Sequence, residues 1–133
     1  MQLISYLEFN GQCEAAFKFY EKCLKGKIQM LMPYAGSPAE SQMPEKDRNQ
    51  ILHASLIADG QALMGSDCPG GMYKQPQGFS ISISVKDTAE AERVFHALSE
   101  NGTVKMPLEK TFWATRFGML VDQFGIPWMV NCE

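Results

Sequence analysis

The sequence predicts an α+β protein built from two tandem βαβββ modules, and three observations predict this class. Residues 111–131 contain two apolar arms joined by the turn DQFG at residues 122–125, whose glycine can adopt a positive φ. Residues 51–67 repeat the hairpin pattern around Asp59-Gly60, a dipeptide typical of tight hairpin turns. A strand, a helix and a further strand precede each hairpin, so the chain reads as two copies of one module.

The first predicted strand covers residues 2–9, where alternate side chains point to opposite faces. Asn10 and Gly11 end the strand and can cap the helix that follows. One face of the strand carries Leu3, Leu7 and Phe9, and the other carries Ile4, Tyr6 and Glu8.

The first helix has a single apolar stripe for packing on a sheet, and Gly26 ends it as a C-terminal glycine. The stripe consists of Cys13, Ala16, Phe17, Tyr20 and Leu24. Residues 27–34 predict the second strand, in which Pro33 indicates an edge or a bulge. Residues 35–50 form a polar loop before the first hairpin, and a loop of this length is typically functional or mobile.

The second module follows a Pro- and Gly-rich linker. Its first strand, residues 79–86, alternates between apolar side chains and the serines Ser80, Ser82 and Ser84. The sequence DTAE at residues 87–90 predicts a capping box, and Asn101-Gly102 ends the helix. Its buried stripe is Ala91, Val94, Phe95 and Leu98, and a short strand at residues 104–108 precedes the second hairpin.

The chain is predicted to be a single domain, with module one at residues 1–67, the linker at 68–78 and module two at 79–133. The helix-ending glycines, Gly26 and Gly102, are further apart than the hairpin glycines, Gly60 and Gly125. The first copy is therefore the longer, most simply in its loop before the hairpin.

The composition and charge of the chain argue against a nucleic-acid-binding protein and against a membrane protein. The 133 residues are 45% hydrophobic and 20% charged, which is typical of one globular domain with a sizeable core. The net charge of −3 and the lack of a basic run predict no nucleic-acid partner. No stretch approaches the ~20 apolar residues of a membrane span, and residues 1–11 do not resemble a signal peptide. We therefore expect a cytoplasmic protein with no membrane partner.

The four cysteines form no C-x-x-C pair, and without an export signal we expect reduced thiols. A reactive thiol is the alternative. The nine methionines suit either core filler or an adaptable pocket lining.

Three stretches carry a resemblance to a known family. They are YLEFNGQCEAAFKFYEKCLKG (residues 6–26), HASLIADGQALMGSD (53–67) and FWATRFGMLVDQFGIPWMVN (112–131). They resemble the PhnB-like branch of the vicinal oxygen chelate superfamily, whose members include glyoxalase I, extradiol dioxygenases, fosfomycin-resistance enzymes and bleomycin-binding proteins. The resemblance implies that the paired modules form a curled, incomplete barrel around a cavity, usually in a homodimer.

Proteins of this branch are often labelled 3-demethylubiquinone methyltransferase-like. The sequence contains no Gly-rich loop that closes a first strand around a nucleotide-type cofactor. We therefore predict no cofactor.

The resemblance also implies where metal ligands would lie. The metal enzymes of the superfamily take one ligand, typically His or Glu, from the first and the last strand of each module. The matching positions here are Ile4, Met64, Ser80 and Met129. None of these is a good ligand for a hard or borderline divalent ion, so we expect no metal site. The alternative, in which His53 and Glu8 act as displaced ligands, stays open.

Several polar and aromatic residues are candidates for ligand binding. His53 is either a general base or a structural hydrogen-bonding residue. Arg116 is either a partner of Glu8, a clamp for a carboxylate or phosphonate, or a surface residue. Trp113, with its neighbours Phe112 and Phe117, either stacks on a planar ligand or lies in the core. The full set of candidates is Tyr6, Glu8, His53, Met64, Ser80, Ser82, Trp113, Arg116, Met129 and Asn131.

Three functions are consistent with these residues. The leading hypothesis is a protein that binds a small hydrophobic or planar molecule in a metal-free cavity. The second is a metal-dependent isomerase, lyase or dioxygenase. The third is a dimeric module that binds a protein partner. The residues do not decide whether a reaction is catalysed.

Overall fold

Each half of the chain forms a four-stranded mixed sheet with one helix packed on it. The computed structural model describes residues 1–133, which divide into two compact units, Met1–Lys74 and Gln75–Glu133. Both units have the order strand, helix and three strands. The α+β class with tandem βαβββ modules is therefore confirmed.

The first unit consists of β1 (Ser5–Phe9), α1 (Cys13–Cys23), β2 (Lys27–Pro33), β3 (Ile51–Ala58) and β4 (Gln61–Asp67). The strand order is β1-β4-β3-β2, and β1 runs parallel to β4 while the other pairs are antiparallel. The hairpin at residues 51–67 is confirmed, and Asp59 and Gly60 both have positive φ at its turn. The first strand starts later than predicted, and Leu3 is exposed.

The second unit consists of β5 (Ile81–Val85), α2 (Thr88–Ser99), β6 (Thr103–Glu109), β7 (Arg116–Val121) and β8 (Pro127–Cys132). Its order, β5-β8-β7-β6 with β5 parallel to β8, repeats that of the first unit. The predicted strand arm at residues 111–115 is wrong. There the chain makes a turn instead, in which the Thr111 N–H donates to the Ala114 carbonyl at 3.0 Å.

The helices bury the stripes predicted for them. In α1, Cys13, Ala16, Phe17 and Tyr20 are fully buried, whereas Leu24 follows the last turn and is half-buried. The buried residues of α2 are Ala91, Val94, Phe95 and Leu98. Neither helix is long and apolar enough to cross a membrane.

After each helix, a residue other than glycine adopts the positive φ, which differs from the prediction of a C-terminal glycine for the first helix. Lys25 and Asn101 adopt the positive φ, of 52° and 58°, and the next residue, Gly26 or Gly102, does not. A Cβ on Gly26 would lie 2.7 Å from the Ile57 carbonyl oxygen, and one on Gly102 would lie 2.5 Å from that of Val121. The two glycines are therefore required for close contact with a strand.

The loop at residues 35–50 is fastened to the first unit. The Tyr34 N–H donates to the Gln50 carbonyl at 3.0 Å and the Ala35 N–H to the Arg48 carbonyl at 2.7 Å, which closes its base. Two 3₁₀ turns, Glu40–Gln42 and Glu45–Asp47, flank Met43, which is 2% exposed. As predicted, Pro33 coincides with an irregularity on an edge strand, β2.

Candidate functional site

Each sheet has one face covered by the helix of its own unit and one face that this helix does not cover. Leu7, Phe9, Ala54 and Leu56 lie on the covered side of the first sheet and are buried. On the other side, strand pairing and alternation place eight residues in two neighbouring rows across the four strands, and the next row contains Lys27, Ile57 and Ala62. We call the eight residues the first open face: Tyr6, Glu8, Met30, Met32, His53, Ser55, Met64 and Ser66.

Tyr6 and His53 form a pair on the first open face. The Tyr6 hydroxyl lies 3.2 Å from His53 Nδ1, and the rings stack with centroids 5.8 Å apart. The hydroxyl donates when Nδ1 is unprotonated and accepts when Nδ1 carries its proton. Tyr6 pairs with Met64 across the parallel strands. Three of the predicted site residues are therefore neighbours.

Glu8 lies on the same strand face and is contacted by a thiol from the residue after β4. Cys68 Sγ donates to Glu8 Oε2 at 3.2 Å, and Cys68 is 8% exposed. Burial, and then the hydrogen bond and charge of Glu8, raise the pKa of the Cys68 thiol to about 11. This thiol is thus protonated at neutral pH, which disfavours a reactive thiolate.

Burial also raises the pKa of Cys13, with the charges of Asp67 and Glu14 as smaller contributions. All four cysteines are free and buried. Cys13 therefore behaves as a packed apolar side chain, as its place in the α1 stripe indicates.

The donor set does not fit the divalent metal used by enzymes of the superfamily. Among the residues of the first open face, His53 and Glu8 alone are of the types that such an ion prefers. Nowhere in the chain do three or more His, Cys, Asp or Glu side chains form a group suited to a metal ion. The thioethers at the matching positions, Met64 and Met129, are poor ligands for such an ion.

The second sheet has an equivalent surface. Ser82 pairs with Met129 and Ser84 with Asn131, so three further site residues, Ser82, Met129 and Asn131, share one side. Ser80 precedes β5 and lies outside the strand. We call this surface the second open face: Ser82, Ser84, Met106, Glu109, Phe117, Met119, Met129 and Asn131.

Trp113 belongs to an exposed aromatic cluster beside the second open face. Its ring centroid lies 4.8 Å from that of Phe112 and 5.3 Å from that of Phe117. Phe112 is 97% exposed and Trp113 is 51% exposed. The alternative in which Phe112 and Trp113 lie in the core is therefore wrong.

Arg116 does not lie on the second open face. It alternates with Phe117 along β7 and shares its side with the buried Gly118 and Leu120. Its Nε lies 3.6 Å from Glu92 Oε1 of α2, and its Nη1 donates to the Thr115 carbonyl at 2.8 Å.

Sequence reasoning missed Asp67, which is 1% exposed. Its Oδ1 accepts hydrogen bonds from the Gly11 and Cys13 N–H groups at 2.8 and 3.0 Å, and its Oδ2 accepts one from Ile51 at 2.8 Å. The alternation of residues 61–67 places Asp67 on the apolar side of its strand. A carboxylate is costly there unless it is hydrogen-bonded, so this pattern was the signal from which a role for Asp67 could have been predicted. Asp67 ties the start of α1 to the first hairpin.

Asp122 was predicted only as a turn residue, and it has a second role. It is 3% exposed, and its Oδ2 accepts a hydrogen bond from the Trp128 indole at 2.8 Å. Its Oδ1 accepts from the Phe124 and Ile126 N–H groups at 2.8 and 3.0 Å. Trp128 is 1% exposed, and Asp122 accepts the hydrogen bond of its buried indole.

An open cleft of about 210 Å³ lies beside the start of α1. Its lining mixes the carboxylates of Glu14 and Asp47 with the ammonium group of Lys46. Asp67 also lines the cleft, and both of its carboxylate oxygens accept hydrogen bonds from backbone N–H groups. The lining of the cleft contains no serine, threonine or cysteine that a neighbouring base could activate as a nucleophile.

Comparison with known proteins places the chain in a family. A sequence model of the family described as 3-demethylubiquinone-9 3-methyltransferase matches residues 1–131. The chain belongs to this family. Among individual proteins, protein YjdN from Escherichia coli (strain K12) is 30% identical to this chain, over 98% of this chain and 95% of its own length.

Solved structures resemble the chain over its full length. Protein PA1353 from Pseudomonas aeruginosa is 46% identical with a TM-score of 0.91, covering 100% of this chain and 98% of its own. The PhnB protein from Bacillus cereus has a TM-score of 0.84 at 23% identity and full coverage of both chains. A glyoxylase/bleomycin resistance protein/dioxygenase domain from Frankia sp. EAN1pec has a TM-score of 0.65 at 11% identity, covering 98% and 94%. The last two structures are less than 25% identical to the chain and therefore show the fold alone. Together with the family match, they confirm the predicted resemblance to PhnB-like proteins of the glyoxalase fold.

Proposed function

We propose that this protein binds a small hydrophobic or planar molecule on its open faces without the help of a metal ion. The observation that carries the proposal is the Tyr6–His53 pair, which lies among methionines on the first open face. Tyr6 is 49% exposed, and Met30 and Met32 are 42% and 40% exposed. Exposed large apolar side chains that adjoin polar groups are typical of binding surfaces.

The chemistry of the first open face suits such a ligand. The Tyr6 ring offers a flat surface, and thioethers such as Met64 adapt to ligands of different shape. Ser55 pairs with Met64 and Met30 and supplies a hydroxyl in the middle of the face. The face therefore combines apolar area with a few hydrogen-bonding groups, as small-molecule sites do.

The test uses acridine, a fluorescent planar molecule that is neutral at pH 8. We expect the Tyr6→Ala variant to bind acridine about tenfold more weakly, since an aromatic contact and its buried area are lost. Tyr73→Ala, which removes a tyrosine outside the sheets, is the matched control and retains the affinity. Equal affinity of the Tyr6→Ala variant and the natural protein would contradict the proposal.

We also propose that the protein acts as a homodimer in the cytoplasm. The exposed cluster of Phe112, Trp113 and Phe117 supports self-association, because large apolar patches are typical of interfaces. The four free cysteines support a reducing compartment. Light scattering tests the first point: a monomeric mass at all concentrations would refute it.

A further inference from the structure

We infer that the molecule bound by the first open face carries a positive charge, and that Glu8 supplies the opposing charge. The inference rests on the proposed function and adds the chemical class of the ligand. The proposed occupant of the first open face is a small planar organic cation.

The charge on the first open face is one-sided. Glu8 is the one carboxylate among its eight residues, and the face contains no lysine or arginine. The nearest lysine on this side of the sheet is Lys27, which pairs with Ile57. Ile57 lies four residues along β3 from His53, which corresponds to about 13 Å. An anionic ligand would therefore meet a carboxylate without a compensating cation.

The Glu8 carboxylate is available to a ligand. Glu8 is exposed, and its one described hydrogen bond comes from Cys68 Sγ to Oε2. The thiol is neutral, so it does not cancel the charge of the carboxylate. A carboxylate can accept about four hydrogen bonds, which leaves most of this capacity, including Oε1, for a ligand.

An aromatic ring lies next to this carboxylate. Tyr6 and Glu8 are two residues apart on one strand face, which separates them by about 7 Å. Aromatic faces attract cations, and the attraction increases when the cation is partly removed from water. A planar cation could therefore contact the ring of Tyr6 and the carboxylate of Glu8 at once.

The second sheet shows the same sign of charge. The one charged residue of the second open face is Glu109, which pairs with Phe117. Arg116, the residue with which a carboxylate or phosphonate could have been held, lies on the opposite side of β7 and contacts Glu92. The residues that define the two open faces thus include no lysine or arginine to hold an anionic ligand.

Three probes of one shape test the inference at pH 8. They are the cation N-methylacridinium, neutral acridine and the anion acridine-9-carboxylate. We expect N-methylacridinium to bind about tenfold more tightly than acridine, the size expected of one charge-assisted contact, and acridine-9-carboxylate to bind most weakly. Fluorescence titration gives the three dissociation constants.

Two variants assign the preference to Glu8. In Glu8→Gln, we expect N-methylacridinium to lose its tenfold advantage while the affinity for acridine stays within about twofold. Glu8→Lys is expected to reverse the preference in favour of acridine-9-carboxylate. Glu45→Gln, an equal change of charge at an exposed loop position, is the control and keeps the preference for the cation.

The outcomes separate this inference from the proposed function. If acridine binds in a Tyr6-dependent way but N-methylacridinium has no advantage, or keeps it in Glu8→Gln, the inference is overturned and the proposed function stands. If none of the three probes binds at millimolar concentration, both are overturned. A self-association that Glu8→Lys abolishes would show that a second copy of the chain occupies the face, which also overturns the inference.

Discussion

The two units share one topology but hold the start of their helices in different ways. In the second unit, Asp87 directly precedes α2, and its side chain accepts a hydrogen bond from the Glu90 N–H at 3.2 Å. In the first unit, Gln12 occupies that position and makes no capping hydrogen bond with its side chain. Instead, the Cys13 N–H donates to the carboxylate of Asp67, which lies 54 residues after Cys13 in the chain.

Strand pairing explains how a distant carboxylate comes to serve α1. The parallel register pairs Phe9, the last residue of β1, with Asp67. The equivalent pair in the second unit is Val85 with Cys132, and Cys132 is fully buried. One unit thus has an acid and the other a thiol at the same place. The comparison teaches that a cap can be local in one copy of a module and long-range in the other.

The largest expected effect concerns the two buried aspartates. Asp67→Ala is expected to lower the free energy of unfolding by about 4 kcal/mol, because three N–H groups in two separate chain segments lose their acceptor. Asp122→Ala is expected to cost about 2 kcal/mol, since its partners lie within six residues and a local turn can relax towards water. Urea unfolding measures both. If Asp122→Ala lowered the free energy of unfolding by more than Asp67→Ala does, the long-range hydrogen bonds of Asp67 would be less stabilising than the local ones of Asp122.

The second prediction concerns the residues that directly precede the helices. Asp87→Ala is expected to destabilise the protein by about 1 kcal/mol, because it removes a side-chain cap. Gln12→Ala is expected to change the stability by less than about 0.5 kcal/mol, since Gln12 makes no such bond. Thermal unfolding of the two variants provides the comparison. Equal losses would mean that Gln12 caps α1 in solution.

The smallest effect is a dependence of stability on pH that comes from the thiol of Cys68. Because its folded pKa of about 11 lies above the ordinary value of 9.0, its contribution to stability is complete below pH 9. The contribution is lost as the pH rises towards 11, since the unfolded chain releases the proton first. We expect Cys68→Ser to show a smaller fall in the free energy of unfolding between pH 8 and about pH 10.5 than the natural protein. Parallel pH profiles of the two proteins would argue against a raised pKa.

Local patterns predicted much of the fold. The hairpin at residues 51–67 was readable because Asp59-Gly60 supplies two residues that tolerate positive φ between alternating strands. The buried stripes of both helices were readable because the helical period repeats within a few residues. Alternation along β1 also predicted that Tyr6 and Glu8 share a face.

The site was predicted less completely than the fold. Tyr6, Glu8, His53 and Met64 do come together on the first open face, whereas Arg116 lies on the side of β7 that faces α2. Trp113 was ambiguous because an aromatic residue near a hairpin can be packed or exposed, and only the turn at residues 111–114 leaves it in solvent. These placements depend on where a strand begins, which local patterns define poorly.

The sequence by itself determined the order of the elements, the hairpin turn at Asp59-Gly60 and the faces of β1 and α1, because each depends on neighbours within a few residues. The tertiary structure alone decided that Asp67 holds the start of α1, that Cys68 donates to Glu8, and that Gly26 must lack a Cβ. These contacts join residues far apart in the chain, and strand pairing brings them together. No local period carries that information.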